Sequence, residues 1–138
     1  MPMAKLVEFL MPRMPVSHQC KNKVNKTEWM DYVSSVGLDA WNGQAVITDK
    51  KLKFLMVYLA GFSMPGDINN FVKPVQDALN AKIYSDDVLI KDVSAHMRCL
   101  DEPNDLDGLP DMLGKAIIDG KPCVYVAIYD SIELSEVV

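Results

Sequence analysis

The chain has 138 residues, 49% of them apolar, which is enough for one folded core and excludes global disorder. Its net charge of −5 argues against a simple nucleic-acid binder, and three cysteines with no CxxC spacing argue against a disulfide scaffold or a zinc site. No apolar run approaches the roughly 18 residues of a membrane span. The opening MPMAKLVEFLMP, with one lysine and prolines interrupting its apolar run, makes a poor signal peptide, so a reducing cytoplasm is the expected compartment.

Taken in chain order, Ala4 to Met11 reads as a strand ended by the Pro-rich MPRMP. Residues 12–26 read as a polar loop in which Arg13, Lys21, Lys23 and Lys26 occur with no acid between them. Thr27 to Trp41 has helical spacing, with Trp29, Val33, Val36 and Ala40 on one face and Asn25–Glu28 as a capping box. Gly37 weakens its last turn. Leu52 to Phe62 is apolar on both faces, as expected of a central strand covered on both sides.

A second helix spans about residues 69–81, after the turn SMPGD. Val88 to Leu100 is a half-buried strand: Val93, Ala95, Met97 and Cys99 alternate with Asp92, Ser94, His96 and Arg98. Asp107 to Gly120 reads as a third helix, with Pro110 in its first turn and Gly120 past its end. Val124 to Tyr129 is the last strand, and the tail SIELSEVV is expected to fray or lie on the surface. These elements predict a single α/β domain of the α+β type over residues 1–138, with a four-stranded mixed sheet and about three helices. The charge is uneven along it. From Asp101 onward nine acids face two lysines, a net −7, so the first 100 residues carry +2.

The stretch GDINNFVKPVQDALNAKIYSDD, Gly66 to Asp87, carries the chemistry. Asp67 fits a plain helix cap, Asp86–Asp87 a solvated turn, and Lys73 an i,i+4 partner of Asp77. Together they fit something else. If the return loop brings Asp86 and Asp87 back toward the helix start, three carboxylates converge and demand a cation. Oxygen-only ligands select a hard ion, Mg²⁺ or Mn²⁺, and a neighbouring lysine suits phosphoryl chemistry.

In that stretch, Asp67-Ile68-Asn69-Asn70, Lys73, Asp77-Ala78-Leu79-Asn80, Tyr84 and Asp86-Asp87 resemble the signature of the RusA family of Holliday junction resolvases. The dense likeness covers about 22 residues. A weaker one extends through the first strand, the Trp-containing helix and the strand before Gly66. The resemblance implies a homodimeric, Mg²⁺-dependent endonuclease of phage or prophage origin, with Mn²⁺ able to substitute, that makes paired symmetric cuts in four-way DNA during recombination and repair. It implies catalytic roles for Asp67, Asn69, Lys73 and Asp87. Asp67, Asn69, Asp86 and Asp87 would hold the metal, and Lys73 would contact the scissile phosphate. Arg13, Lys21, Lys23 and Lys26 become DNA contacts, with His96 and Arg98 as weaker ones.

One position departs from the family pattern, which has an aspartate where this chain has Asn69. An amide oxygen can ligate Mg²⁺ but brings no charge and cannot act as a base. Weakened metal binding and depressed cleavage are therefore expected, and three sources stay open: a natural variant, a junction binder that does not cut, and a laboratory substitution. The competing functional class is a non-catalytic interaction module whose acidic C-terminal region engages a protein. A flap- or single-strand-specific phosphodiesterase is a second enzyme alternative.

Overall fold

The computed structural model describes residues 4–61 and 66–138. Four strands, β1 (Lys5–Met11), β2 (Leu52–Ala60), β3 (Ile90–Cys99) and β4 (Cys123–Asp130), form one sheet in the order β1-β4-β2-β3. β4 is antiparallel to both β1 and β2, whereas β2 and β3 run parallel. The expected four-stranded mixed sheet is therefore present. Three full helices accompany it, α1 (Lys23–Trp41), α2 (Asn69–Leu79) and α3 (Asp111–Asp119), with a single-turn α4 (Leu134–Val137) near the end. Among the described residues no helix is long and apolar enough to cross a membrane.

Both faces of β2 and β4 are covered, as the two-sided apolarity of β2 predicts. Phe54, Met56 and Tyr58 join Val124, Val126 and Ile128 on the face that packs α1 and α2. Val57, Leu59, Tyr125 and Ala127 face α3 through Leu113 and Ala116. The sheet thus stands between the basic loop and α1 on one side and α3, with Asp111 and Asp119, on the other.

Several boundaries move for local reasons. α1 starts at Lys23, four residues before the expected Thr27, because Asn22 caps it: its side-chain oxygen accepts from the Val24 and Asn25 amides, both at 3.1 Å. The Asn25–Glu28 capping box is not the helix start, and Lys23 and Lys26 sit on the helix instead of in a loop. The buried stripe of α1 is Trp29, Val33, Gly37 and Trp41, with Val36 and Ala40 partly buried beside it. α3 starts only at Asp111, since the Asp105 carboxylate accepts from the Asp107 amide at 2.9 Å, Gly108 takes a positive φ and the Leu109 amide closes a turn on Leu106 O. The strand expected from Val88 begins at Ile90, after a 3-10 turn at Asp87–Leu89. Of the expected 52–62 strand, Phe62 lies outside the described residues. The tail is tied down at its start, where Ser131 donates from its amide to Lys51 O at 2.9 Å and from its hydroxyl to Asp92.

α2 is held tightly against α1. A methyl group on Gly37 would lie 2.6 Å from Leu79 Cδ2, so glycine is what lets the two helices approach. Each of the last four carbonyls of α2, the groups a helix end leaves without partners, finds one here. Gln76 O accepts from the Tyr84 hydroxyl (2.7 Å), Asp77 O from the Asn80 amide (3.2 Å), Ala78 O from the Ser34 hydroxyl (2.6 Å) and Leu79 O from the Ile83 amide (3.1 Å). The chain that leaves α2 is pinned again by the Ile47 segment, through Ile47 N to Ile83 O and Ser85 N to Ile47 O, both 2.9 Å. These bonds turn residues 80–87 back along α2.

Two outcomes follow for stability. Gly37→Val should destabilise the fold by about 1–3 kcal/mol through overpacking against the fully buried Leu79, read as a lower urea midpoint. Tyr84→Phe should cost about 1–2 kcal/mol, because it strips the buried hydroxyl from Gln76 O with little loss of apolar packing.

Candidate metal and phosphate site on α2

Asp67 lies just before the first turn of α2, beside Gly66, whose φ of 71° is a left-handed conformation that suits glycine. Its carboxylate accepts from the Asn69 amide at 3.0 Å, and its carbonyl accepts from the Asn70 amide at 3.0 Å. Asp67 therefore does cap the helix, and one of its carboxylate oxygens has no hydrogen bond among the described residues. Asp67 and Asn69 are both exposed, so their oxygens open to solvent.

The turned-back loop delivers the second group. Asp86 accepts from the Val88 amide at 3.1 Å and caps the 3-10 turn, which leaves Asp87 facing α2. Lys73 reaches from the middle of the helix to Asp87 Oδ2 at 3.1 Å and to Asp77 Oδ1 at 2.8 Å. Lys73 is thus both the helix-surface partner of Asp77 and the contact of Asp87. The Asp77 carboxylate, then that of Asp87, raises the pKa of the Lys73 ammonium above the ordinary lysine value. In turn the hydrogen bond from Lys73, and secondarily Asp86, holds the Asp87 carboxyl below the ordinary aspartate value. Tyr84, buried beneath, has its hydroxyl pKa pushed up by burial and stays a neutral donor.

The sequence asked whether the acids meet. Asp87 does come back to α2, at the level of Lys73. Asp67, Asp86 and Asp87 do not place one oxygen each within 4.8 Å of one another. Two half-sites result: Asp67 with Asn69 at the helix start, and Asp86–Asp87 with Lys73 and Asp77 along its flank. The expected ligands Asp67, Asn69, Asp86 and Asp87 all offer oxygens, three carboxylates and one amide, and that chemistry fits a hard divalent ion. Among the described residues the one tight grouping of three potential donors is elsewhere, Cys99 with Asp101 and Glu102. Its thiol is buried and its pKa is raised by burial, which makes it a poor partner for such an ion.

The basic segment borders the helix start. The His18 amide donates to Asn70 O at 2.6 Å, joining the 12–22 loop to the first turn of α2. The Arg13 guanidinium lies 4.5 Å from the Tyr32 ring centroid and 6.0 Å from that of Trp29, a cation–π arrangement that orders an exposed arginine. Lys21 and Lys23 are exposed, whereas the Lys26 ammonium donates to His18 O at 2.8 Å. His96 and Arg98 are not gathered here. Their register partners Val57 and Leu59 belong to the α3 side of the sheet, where both residues line an apolar cleft of about 360 Å³ with Leu109, Leu113 and Asp105. His96 bonds Ser94 at 2.8 Å, and Arg98 bonds Met97 O at 2.9 Å.

Sequence reasoning missed the parts played by His18, Pro74 and Ser34, which act through backbone carbonyls. One signal was legible, the proline inside the helical pattern VKPVQ, which must free a carbonyl four residues earlier.

No curated protein matches the chain. The family model described as Endodeoxyribonuclease RusA matches residues 7–129, a span that includes nearly all of the sheet and every residue of both half-sites. Nucleases of that family are metal-dependent and are associated with the resolution of Holliday junctions. With nearly its whole length matched, the chain belongs to the RusA family of endodeoxyribonucleases.

Proposed function

We propose that this chain works as a homodimeric, Mg²⁺-dependent resolvase that makes paired symmetric cuts in four-way DNA, one strand per subunit. The observation that carries the reading is the Lys73–Asp87 contact at 3.1 Å, which couples a cation on α2 to an acid from the returning loop inside the family-matched span.

Asp67, Asn69, Asp86 and Asp87 would hold the ion, and Mn²⁺ would serve as well, because both ions favour oxygen ligands. When bound, such an ion supplies Lewis acidity and charge compensation at the phosphodiester. The chain's own residues do the rest. Asp87, its pKa lowered, is ionised at neutral pH and presents a charged oxygen. Lys73, its pKa raised, stays an ammonium and offers its charge to a non-bridging phosphate oxygen, steadied meanwhile by Asp77. Asn69 contributes an oxygen but neither charge nor basicity, so this copy cuts more weakly than one with an aspartate there. Arg13, Lys21 and Lys23 present cations along the DNA path, and the net −5 does not prevent this because screening confines surface fields to about 8 Å.

Asn69 also favours a second reading, a junction binder that holds four-way DNA without cutting it. One experiment separates the two: cleavage of a synthetic four-way junction in Mg²⁺ or Mn²⁺, alongside junction binding in the absence of divalent ions. The resolvase reading expects slow cleavage by the parent, abolished by EDTA and by Asp87→Asn. It expects Asn69→Asp to raise the rate at limiting Mg²⁺ by about tenfold, since one more ligand charge tightens a hard-cation site. A full-speed parent that gains nothing from Asn69→Asp would refute the impairment. A chain that binds junctions yet never cuts, even as Asn69→Asp, would establish the binder.

Lys73→Met should lower the cleavage rate by about 10²-fold, the scale on which a single charge-stabilising donor acts. Junction affinity without metal should change by less than about tenfold, and a loss of binding as large as the loss of rate would assign Lys73 to DNA affinity alone.

A further inference from the structure

Pro74 sits inside α2 and has no amide hydrogen, so the carbonyl four residues earlier, Asn70 O, gets no helical partner, and the proline ring pushes it off the helix axis. That carbonyl accepts the His18 amide at 2.6 Å. The carbonyl of His18 in turn accepts the Lys26 ammonium at 2.8 Å. Lys26 lies one turn into α1, and among the described residues it has no carboxylate partner. Of the basic residues Arg13, Lys21, Lys23 and Lys26, it alone is partly buried.

We propose that Lys26, His18 and Pro74 form a strap joining α1 to the first turn of α2, and that Lys26 is a positioning residue for the Asp67–Asn69 turn in place of a phosphate contact. The mechanical logic runs in both directions along the contacts. The Lys26 charge fixes the His18 carbonyl, the amide of the same residue fixes the Asn70 carbonyl, and Asn70 is bonded through its own amide to Asp67 O at 3.0 Å. Pro74 supplies the open acceptor without which the loop would have nothing to grip. The link from strap to ion-holding turn rests on the resolvase reading; the strap itself does not.

The test therefore has a part with no DNA in it. Amide hydrogen exchange is followed by NMR in the full chain for the parent, Lys26→Met, Pro74→Ala and Lys23→Met. Methionine keeps the apolar stem of Lys26, and alanine is a good helix former, so both variants are compatible with folding. Lys26→Met removes one end of the strap, while Pro74→Ala gives Asn70 O a helical amide that competes with His18. Each should speed exchange at the His18 amide by about tenfold or more, as expected when a local opening becomes easier. Lys23→Met should not.

With four-way DNA, Lys23→Met should flatten the dependence of log affinity on log salt by about 0.9, the signature of one lost phosphate contact. Lys26→Met should leave that slope in place and instead raise the Mg²⁺ concentration needed for half-maximal cleavage several-fold. An unchanged His18 amide in either strap variant overturns the proposal, as does a Lys26→Met salt slope flattened like that of Lys23→Met. A parent that binds no junction but shows the exchange pattern would retire the resolvase reading and leave the strap standing.

Discussion

The parallel pairing of β2 with β3 is the constraint from which the rest of this architecture follows. Two parallel neighbours cannot be joined by a hairpin, so the chain must leave the end of β2, travel back and enter β3 at its far end. α2 is that return path. An 11-residue helix covers about 16 Å, and for that reason Asp67 and the Asp86–Asp87 pair begin at opposite ends of the crossover. What narrows the gap is the turn after α2, held by Tyr84, Asn80 and the Ile47 segment, which folds Asp87 back toward Lys73.

The same crossover sets the electrostatics. Lys73 is half-exposed between two carboxylates that both favour its ammonium form, and it in turn favours the carboxylate form of Asp87. Exposed ion pairs of this kind add little to folding stability. Their meaning is chemical: the lysine stays cationic and the aspartate anionic at neutral pH. A cation held between Asp77 and Asp87 makes a sensible resting state for two carboxylates that would otherwise repel one another.

Much of this was legible in the sequence. Two-sided apolarity identified β2 as central, because burial dictates that pattern directly, whereas the alternation in β3 is matched by burial only over Ala95–Cys99 and Val93 stands exposed at the sheet edge. The spacing of Asp67, Lys73 and Asp86–Asp87 carried the family, and the family model agrees over residues 7–129. The start of α1 was not legible, since Asn22 and Asn25 are equally good caps and only the fold chooses between them. Nor was the contact partner of Lys26. A lysine in a polar run looks like a solvated charge, and nothing local reveals that its ammonium meets the His18 carbonyl. The placing of His96 and Arg98 away from Lys73 depends on which face of the sheet α2 covers, a property of topology that a strand pattern does not encode.

The sheet that separates the basic loop and α1 from α3 also gives the molecule a direction. Arg13, Lys21 and Lys23 lie on one side, beside Glu28 and Asp31 of α1, while Asp105, Asp111 and Asp119 belong to the other, so the sheet keeps the cations of the basic loop apart from the acids around α3. Salt at physiological strength screens surface charge over about 8 Å, so across the thickness of the sheet the two faces are largely independent electrostatically.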